Sequence, residues 1–206
     1  MVYPNLSIEK ELWKRGYRRV AGVDEAGRGS WAGPIVAAAV IFPQEVKIPQ
    51  GLRDSKLLTP KKRQELNKKI KEIAVSFAVG ECGSPIIEKK GITAANQMAM
   101  RKSLQALDPQ PDFSLIDYFE LDSLERSKQR AVEKGDLHCV SISAASIIAK
   151  VFRDDLMRKF DDDEEFSVYQ FGKHKGYGTR LHQEAIAEYG VSRIHRVSFI
   201  PKGLKS

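Results

Sequence analysis

The 206-residue chain is 42% hydrophobic, which is enough for one substantial core but little for two domains of equal size. Its formal net charge of +7 at pH 7 favours a polyanionic partner, because clustered Lys and Arg release counterions condensed on phosphates. The two cysteines fit neither a zinc finger nor a disulfide scaffold, and no apolar run reaches the length of a membrane span. We therefore expect a cytoplasmic protein with reduced thiols and no membrane anchor.

Two apolar runs near the N-terminus predict a pair of buried strands, YRRVAGVDEAG over 17–27 and GPIVAAAVIFP over 33–43, joined by a glycine-rich turn. Thr59 and Pro60 fit the N-cap and the first position of an amphipathic helix over 61–73. A third strand is expected at 74–82.

The second half of the chain alternates between helical and strand-like patterns. A helix is predicted over 91–107 and is ended by the aspartate-proline pair at 108 and 109. A strand over 112–119, a strand-like stretch LHCVSI over 137–142 and a long helix over 141–160 follow, and the acidic run 161–166 is expected to be a solvated loop. This order indicates an α/β fold with a sheet of mixed direction.

Four acidic residues stand at or near predicted strand ends: Asp24, Glu25, Asp117 and Asp136. If these ends meet, the carboxylates repel one another unless cations neutralise them. Hard oxygen ligands with open positions suit Mg²⁺ or Mn²⁺. The alternative is that the Asp24–Glu25 pair belongs to an ordinary solvated turn.

The motifs GVDEAGRG, AGP, DSKLL, ID, KGD, SAASIIAKVFRD, HKGYGT and IHRVSF occur in this order between about residues 18 and 200. Together they resemble the bacterial ribonuclease H type 2 family, ribonuclease HII. The resemblance covers nearly the whole chain, and several motifs in the right order are far more specific than any one of them.

The resemblance implies a ribonuclease H-like fold, a mixed five-stranded sheet flanked by helices, with a small helical C-terminal extension. It divides the chain into an N-terminal extension over 1–17, a catalytic domain over 18–165 and a substrate-binding extension over 166–206 that is continuous with it. The implied partners are RNA/DNA hybrids and duplex DNA that contains ribonucleotides, and the chain is expected to be a monomer.

The implied activity is hydrolysis of RNA paired with DNA, including cleavage on the 5′ side of a single ribonucleotide embedded in a DNA duplex. Two Mg²⁺ or Mn²⁺ ions would be held by Asp24, Glu25, Asp117 and Asp136, and the products would carry a 5′-phosphate and a 3′-hydroxyl. The family usually has a glycine after the third acid, which suggests a close approach of backbone or substrate, whereas Tyr118 follows Asp117 here. Glu120 and Asp122 are nearby acids that could replace Asp117, which is preferred because it lies directly behind the apolar SLI strand.

Substrate contacts are expected from seven residues. The flexible loop Gly27, Arg28 and Gly29 would approach the 2′-hydroxyl and a neighbouring phosphate, although a simple turn with a solvated arginine is the alternative. By resemblance, Tyr177 would pack against the deoxynucleotide after the ribonucleotide, with phosphates held by Lys56, Lys173 and Lys175.

Two other functions are open at this point. A type 3 ribonuclease H shares the acids but has ESGKG in place of EAGRG and a sizeable N-terminal domain, while only about 17 residues precede the first strand here. A non-catalytic nucleic-acid-binding module on the same fold is the other. His174, His182 and His195 match no zinc motif and are expected in hydrogen-bonding roles, and Asp154 is expected to pair with Lys150.

Overall fold

The structure, a computed structural model, describes residues 3–204. Five strands form one sheet: β1 Val20–Ala26, β2 Ile35–Ile41, β3 Ser76–Cys82, β4 Phe113–Asp117 and β5 Gln129–Val132. Their order is β3-β2-β1-β4-β5. The first three strands are antiparallel neighbours, whereas β4 and β5 run parallel to β1. The predicted hairpin and the mixed sheet are both confirmed.

The helices of the described chain are α1 Ser7–Lys14, α2 Pro60–Ile73, α3 Ser84–Lys90, α4 Ile92–Gln105, α5 Gly135–His138, α6 Val140–Lys159, α7 Glu164–Ser167, α8 Phe171–His174 and α9 Arg180–Tyr189. As predicted, α2 begins with a proline and is capped by Thr59, whose hydroxyl accepts a hydrogen bond from the Lys62 N–H at 3.3 Å. Short 3-10 turns lie at Ser55–Leu57, Arg126–Lys128, Phe160–Asp162, Val197–Phe199 and Lys202–Leu204.

Both faces of the sheet are covered, so β2 is buried along its whole length. Helices α2 and α6 pack on one face, where Val36, Ala38 and Val40 meet them. Helix α4 packs on the other face against Ala37 and Ala39. This double burial explains why the sequence of β2 is apolar at every position instead of alternating.

The strand-like reading of LHCVSI is wrong. Residues Gly135–His138 form α5, only Cys139 is extended, and α6 begins at Val140. Val140 and Ile142 do face the core, but from a helix, and a short apolar run does not by itself distinguish the two. The fifth strand is instead Gln129–Val132, which pairs with β4.

The acidic run 161–166 is also more ordered than expected. A 3-10 turn spans Phe160–Asp162, and the Asp163 carboxylate then caps α7 by accepting a hydrogen bond from the Glu165 N–H at 3.0 Å. Phe166 on α7 is buried in a cluster with Met157 and Phe171. The apolar residue at the end of the run therefore anchors a segment whose charges remain at the surface.

Between residues 3 and 204, no helix combines the length and the apolar character that crossing a bilayer requires.

Strand β1 approaches α6 most closely at Gly22. A Cβ atom built there would lie 2.2 Å from the Ser141 carbonyl carbon and 2.3 Å from the Ile142 nitrogen. Because these are backbone atoms of α6, no side-chain rotation can relieve the overlap, and the helix itself would have to move.

We therefore expect Gly22→Ala to lower the free energy of unfolding by roughly 2–3 kcal/mol, the cost of overpacking a core. Gly203→Ala is the matched control, since no atom lies within 4 Å of its added methyl group. Urea unfolding of both variants would measure the difference, and equal stabilities would show that the helix shifts at little cost.

Candidate active site

Asp24 and Glu25 point to opposite faces of the sheet because they are neighbours on one strand. Asp24 is 5% exposed and lies near the Ser146 hydroxyl of α6, and its Oδ1 atom accepts a hydrogen bond from the Glu25 N–H at 2.7 Å. Glu25 is only partly buried and lies near the Asn96 amide of α4. The strand end thus carries one carboxylate toward each layer of helices.

The third and fourth acids come from the neighbouring parallel strand and the turn beyond β5. Asp117 is the last residue of β4, and its Oδ1 atom accepts a hydrogen bond from the Gly135 N–H at 2.7 Å. Asp136 follows Gly135 on α5 and is 7% exposed. One backbone hydrogen bond therefore fixes the two acidic segments relative to each other.

Electrostatic repulsion marks this cluster. Burial, Glu25 and Asp117 raise the pKa of Asp24 well above its usual value. Burial raises the pKa of Glu25, and Asp117 adds to the effect, while Asn96 and Arg28 partly oppose it. The pKa of Asp117 is raised by burial and by Asp136. Three carboxylates are thus held where their charge is costly, as is common at functional sites.

Lys56 is the cation nearest to the cluster. It lies on the 3-10 turn Ser55–Leu57, with its ammonium nitrogen 3.6 Å from the Asp136 Oδ2 atom. Burial alone would lower its pKa, but Asp136, Asp54 and Asp24 outweigh burial and raise it. One flexible lysine offsets only part of the negative charge of four carboxylates.

The donor chemistry of the site fits a hard divalent cation. Oxygen ligands from Asp24, Glu25, Asp117 and Asp136 are the kind that Mg²⁺ and Mn²⁺ take, and the raised pKa values of Asp24, Glu25 and Asp117 indicate that the charge of these three carboxylates is not balanced within the described chain. Among residues 3–204, no three Asp, Glu, His or Cys side chains are already arranged to hold a metal ion.

The loop after β1 contains two glycines, Gly27 and Gly29, and the fold requires a glycine only at the first position. Gly27 has a φ of 89°, and a Cβ atom there would lie 1.9 Å from the Arg153 Nε atom, so the fold itself excludes a side chain. Gly29 has no left-handed φ and no atom within 4 Å of its added Cβ. Nothing within the described chain requires a glycine at position 29.

A cavity of about 500 Å³ brings most of the predicted residues together. Its lining includes Asp24, Glu25, Gly27, Arg28, Gly29, Lys56, Asp117 and Tyr177. Asp136 adjoins it through its ion pair with Lys56. Tyr177 is 38% exposed, and the Lys150 ammonium lies 5.7 Å from the centroid of its ring.

The other two predicted lysines do not line this cavity. Lys173 is exposed on α8, whereas Lys175 is half-buried and its ammonium donates a hydrogen bond to the Gly172 carbonyl. Burial lowers the pKa of Lys175, and Arg158 adds to the effect. Their roles in phosphate binding stay predictions.

Sequence reasoning missed several residues that line the cavity, including Ser146, Lys150 and Arg63. Lys150 was assigned to an ion pair with Asp154, which is confirmed at 2.7 Å. Arg63 lies on the lysine-rich helix α2, yet it is 8% exposed and donates to the carbonyls of Ser55 and Leu58, which holds the turn that carries Lys56. No spacing rule reveals such a contact between a helix and a loop.

Comparison with known proteins gives consistent results. A family model described as Ribonuclease HII matches residues 21–202. The Ribonuclease HII of Dehalococcoides mccartyi strain 195 is 46% identical over 202 residues, covering 97% of this chain and 94% of that protein. The ribonuclease H2 from Pyrococcus horikoshii OT3 has a TM-score of 0.69 at 26% identity, covering 87% of this chain and 93% of that one.

A third similarity concerns the fold alone. Bst-RNase HIII, whose structure was determined in complex with Mn²⁺, has a TM-score of 0.64 at 23% identity and covers 84% of this chain and 63% of its own.

The charge cluster makes a testable stability prediction. With metal removed by a chelator, Asp24→Asn should raise the free energy of unfolding, because it removes a buried repelling charge and keeps the shape. The raised pKa of Asp24 fixes the sign: its destabilising effect appears as pH rises through the folded-state pKa and is absent below the unfolded value.

Thermal unfolding of wild type and Asp24→Asn in chelator and in excess Mn²⁺ measures this. Mn²⁺ should stabilise wild type more than the variant. A less stable variant in chelator would contradict the cluster description.

Proposed function

Because this chain belongs to the ribonuclease HII family, we propose that the cavity at the ends of β1 and β4 is where it hydrolyses RNA paired with DNA. Ribonuclease HII activity itself follows from the family match and from relatives of nearly equal length. The type 3 and the non-catalytic alternatives are therefore set aside. The single observation that supports this location is that the cavity unites buried carboxylates, the glycine loop and Tyr177.

Asp24, Glu25, Asp117 and Asp136 would hold the divalent ions. When bound, Mg²⁺ or Mn²⁺ would make a water molecule more acidic and stabilise the charge of the departing 3′-oxygen. The structural relative Bst-RNase HIII was crystallised with Mn²⁺. In this chain, the four carboxylates supply the oxygen donors that support the use of Mn²⁺. Hydrolysis of the phosphate held at these four residues would leave a 5′-phosphate and a 3′-hydroxyl.

The glycine loop would recognise the ribose. Its carbonyls at Gly27 and Arg28 already accept hydrogen bonds from the Arg196 side chain. The N–H groups of Arg28 and Gly29 have no partner within the part of the chain that the structure describes. The loop thus offers N–H donors to a 2′-hydroxyl, the group that distinguishes RNA from DNA, and the Arg28 guanidinium offers a charge-assisted bond to a phosphate.

The more specific substrate would be duplex DNA that contains a single ribonucleotide, with cleavage on the 5′ side of that ribonucleotide. Tyr177 would stack on the deoxynucleotide that follows, while Lys56, Lys173 and Lys175 hold phosphates. Residues 166–206 would act as a substrate-binding extension of the catalytic domain over 18–165, and the protein would act as a monomer.

Cleavage of end-labelled duplexes tests the proposal. Duplexes with one, four or many ribonucleotides, and an all-DNA control, would be incubated with Mg²⁺, with Mn²⁺ or with a chelator. We expect metal-dependent cuts 5′ of the single ribonucleotide and none in the control. Cutting of the control duplex, or products with a 3′-phosphate, would overturn this assignment.

Gly29 provides a sharper test of the ribose contact. Since the fold leaves open space at its Cβ position, Gly29→Ala should retain the melting temperature of wild type. It should nevertheless lose at least about tenfold in kcat/KM, because the methyl group would keep the sugar from the loop, and a displacement of about 1 Å can cost up to a hundredfold. Full activity would show that the substrate does not approach position 29.

Tyr177→Ala tests the reading of the junction. Loss of a stacking contact is worth roughly 1–3 kcal/mol, on the order of tenfold to a hundredfold in affinity or rate. We expect that loss on the single-ribonucleotide duplex, whose 3′ neighbour is DNA, and a smaller loss on a long hybrid. Tyr177→Phe is the matched control, since it keeps the ring. Equal losses on both substrates would assign Tyr177 to general binding.

A further inference from the structure

A buried dipeptide outside the cavity, His195–Arg196, contacts the glycine loop directly and reaches Tyr177 through His182. It lies beyond α9 and forms an isolated antiparallel bridge between Ala32 and His195. The Arg196 N–H donates to the Trp31 carbonyl at 2.6 Å, and the Gly33 N–H donates to the Ile194 carbonyl at 2.9 Å. The dipeptide is therefore fixed by its backbone to the segment that follows the glycine loop.

The Arg196 side chain donates hydrogen bonds to carbonyl groups of the glycine loop. Its Nη1 atom donates to the Gly27 carbonyl at 2.8 Å and to the Arg28 carbonyl at 3.0 Å, and Nε donates to the Gly33 carbonyl at 2.9 Å. The side chain is fully buried. One planar guanidinium thus holds the glycine loop and Gly33 at a fixed separation, which the compact, rotatable ammonium of a lysine cannot do.

Among residues 3–204, no carboxylate forms an ion pair with Arg196. The Arg196 Nη2 atom is also buried without a hydrogen-bond partner. Burial and the nearby Arg153 lower its pKa to about 9, so it remains a cation at neutral pH. Burying such a charge is costly, and an apolar side chain would usually fill the same space at lower cost. Core packing alone therefore does not account for an arginine here.

His195 connects to Tyr177 through two consecutive hydrogen bonds, from His195 to His182 and from His182 to the Tyr177 carbonyl. The Ser192 N–H donates to the His195 Nδ1 atom at 2.8 Å, so the proton of the neutral ring lies on Nε2. His195 Nε2 lies 3.0 Å from His182 Nε2, and His182 Nδ1 lies 3.1 Å from the Tyr177 carbonyl. Since that carbonyl only accepts, His182 donates from Nδ1 and accepts at Nε2.

The neutral state of both rings agrees with this chain. Burial lowers the pKa of His195 to about 4, and burial with His174 and His195 lowers that of His182 to about 3. Each ring nitrogen of the two histidines has one role, and both the N–H and the hydroxyl of Ser192 lie 2.8 Å from the His195 Nδ1 acceptor. A side chain without a donor at the His195 Nε2 position would leave the His182 Nε2 atom unpaired and Tyr177 less firmly held.

We propose that His195 and Arg196 are positioning residues for ribonucleotide recognition, Arg196 by holding the glycine loop and His195, through His182, by holding the backbone of Tyr177. The inference rests on the proposed function of those two loops. It adds that one dipeptide, which touches no substrate, sets the distance between the ribose contact and the contact with the following deoxynucleotide.

Three variants separate the two parts of this proposal. Arg196→Lys keeps the charge but not the fork. His195→Asn keeps an acceptor for the Ser192 N–H but is too short to donate to His182, whereas His195→Gln places an amide N–H near the position of Nε2. The readouts are the melting temperature, kcat and KM on a single-ribonucleotide duplex and on a long hybrid, and affinity for an all-DNA duplex.

We expect Arg196→Lys to lower kcat/KM by about tenfold on both ribonucleotide substrates, as a displaced contact loop does, while affinity for the all-DNA duplex is retained. His195→Asn should lose about fivefold, the worth of one hydrogen bond, on the single-ribonucleotide duplex relative to the long hybrid. His195→Gln should recover most of that ratio.

Losses that follow the melting temperature and are equal on the two ribonucleotide substrates and the all-DNA duplex would overturn the proposal, as would wild-type ratios in His195→Asn. An Arg196→Lys variant that folds and retains wild-type kcat/KM would overturn the part that concerns the glycine loop, and the His195 pair decides the part that concerns Tyr177. If wild type itself shows no preference for ribonucleotides, the proposed function fails instead.

Discussion

The contact between β1 and α6 at Gly22, with no side chain between the two backbones, is the constraint on which the active site depends. Two residues later on the same strand face, Asp24 is carried to Ser146 on the next turns of α6. The alternation of the strand then turns Glu25 toward α4. Two acids that are adjacent in sequence thus enter one cavity from opposite sides of the sheet, which neither a helix nor a turn would achieve.

The same constraint explains the unusual distribution of charge. The strand ends bring buried carboxylates into mutual repulsion, and the described chain supplies only partial compensation through Lys56 and Arg28. Outside the cavity lining, Arg153 and Arg196 are fully buried cations that bind carbonyls instead of acids. Negative and positive charge are thus kept apart, which weakens the folded state but leaves the carboxylates available for a cation.

The sequence predicted those parts of the site that local patterns encode. The hairpin, helices α2 and α4 and the cavity residues around Asp24 and Gly27 arise from short apolar runs, turn residues and ordered motifs. It failed at LHCVSI, where a helix begins among residues that also suit a strand, and at β5, whose four residues QRAV are too few and too polar to be recognised. It also could not reveal Arg63, His195 or Arg196, because their partners lie far away in the chain and no spacing records such contacts.

Tyr118 shows how a departure from a family pattern is resolved by backbone geometry. A glycine at this position suggested a close approach of backbone or substrate, yet Tyr118 has a φ of 70° and the residue is 69% exposed. Its N–H donates to the Val132 carbonyl at 3.0 Å, next to the Gly135 N–H that binds Asp117. The position therefore requires a left-handed residue at the end of β4, which glycine adopts most easily. A tyrosine adopts the same backbone conformation at a cost in strain, and it can be accommodated because its side chain points to solvent. The orientation of Asp117 therefore depends on the turn and not on the identity of the residue after it.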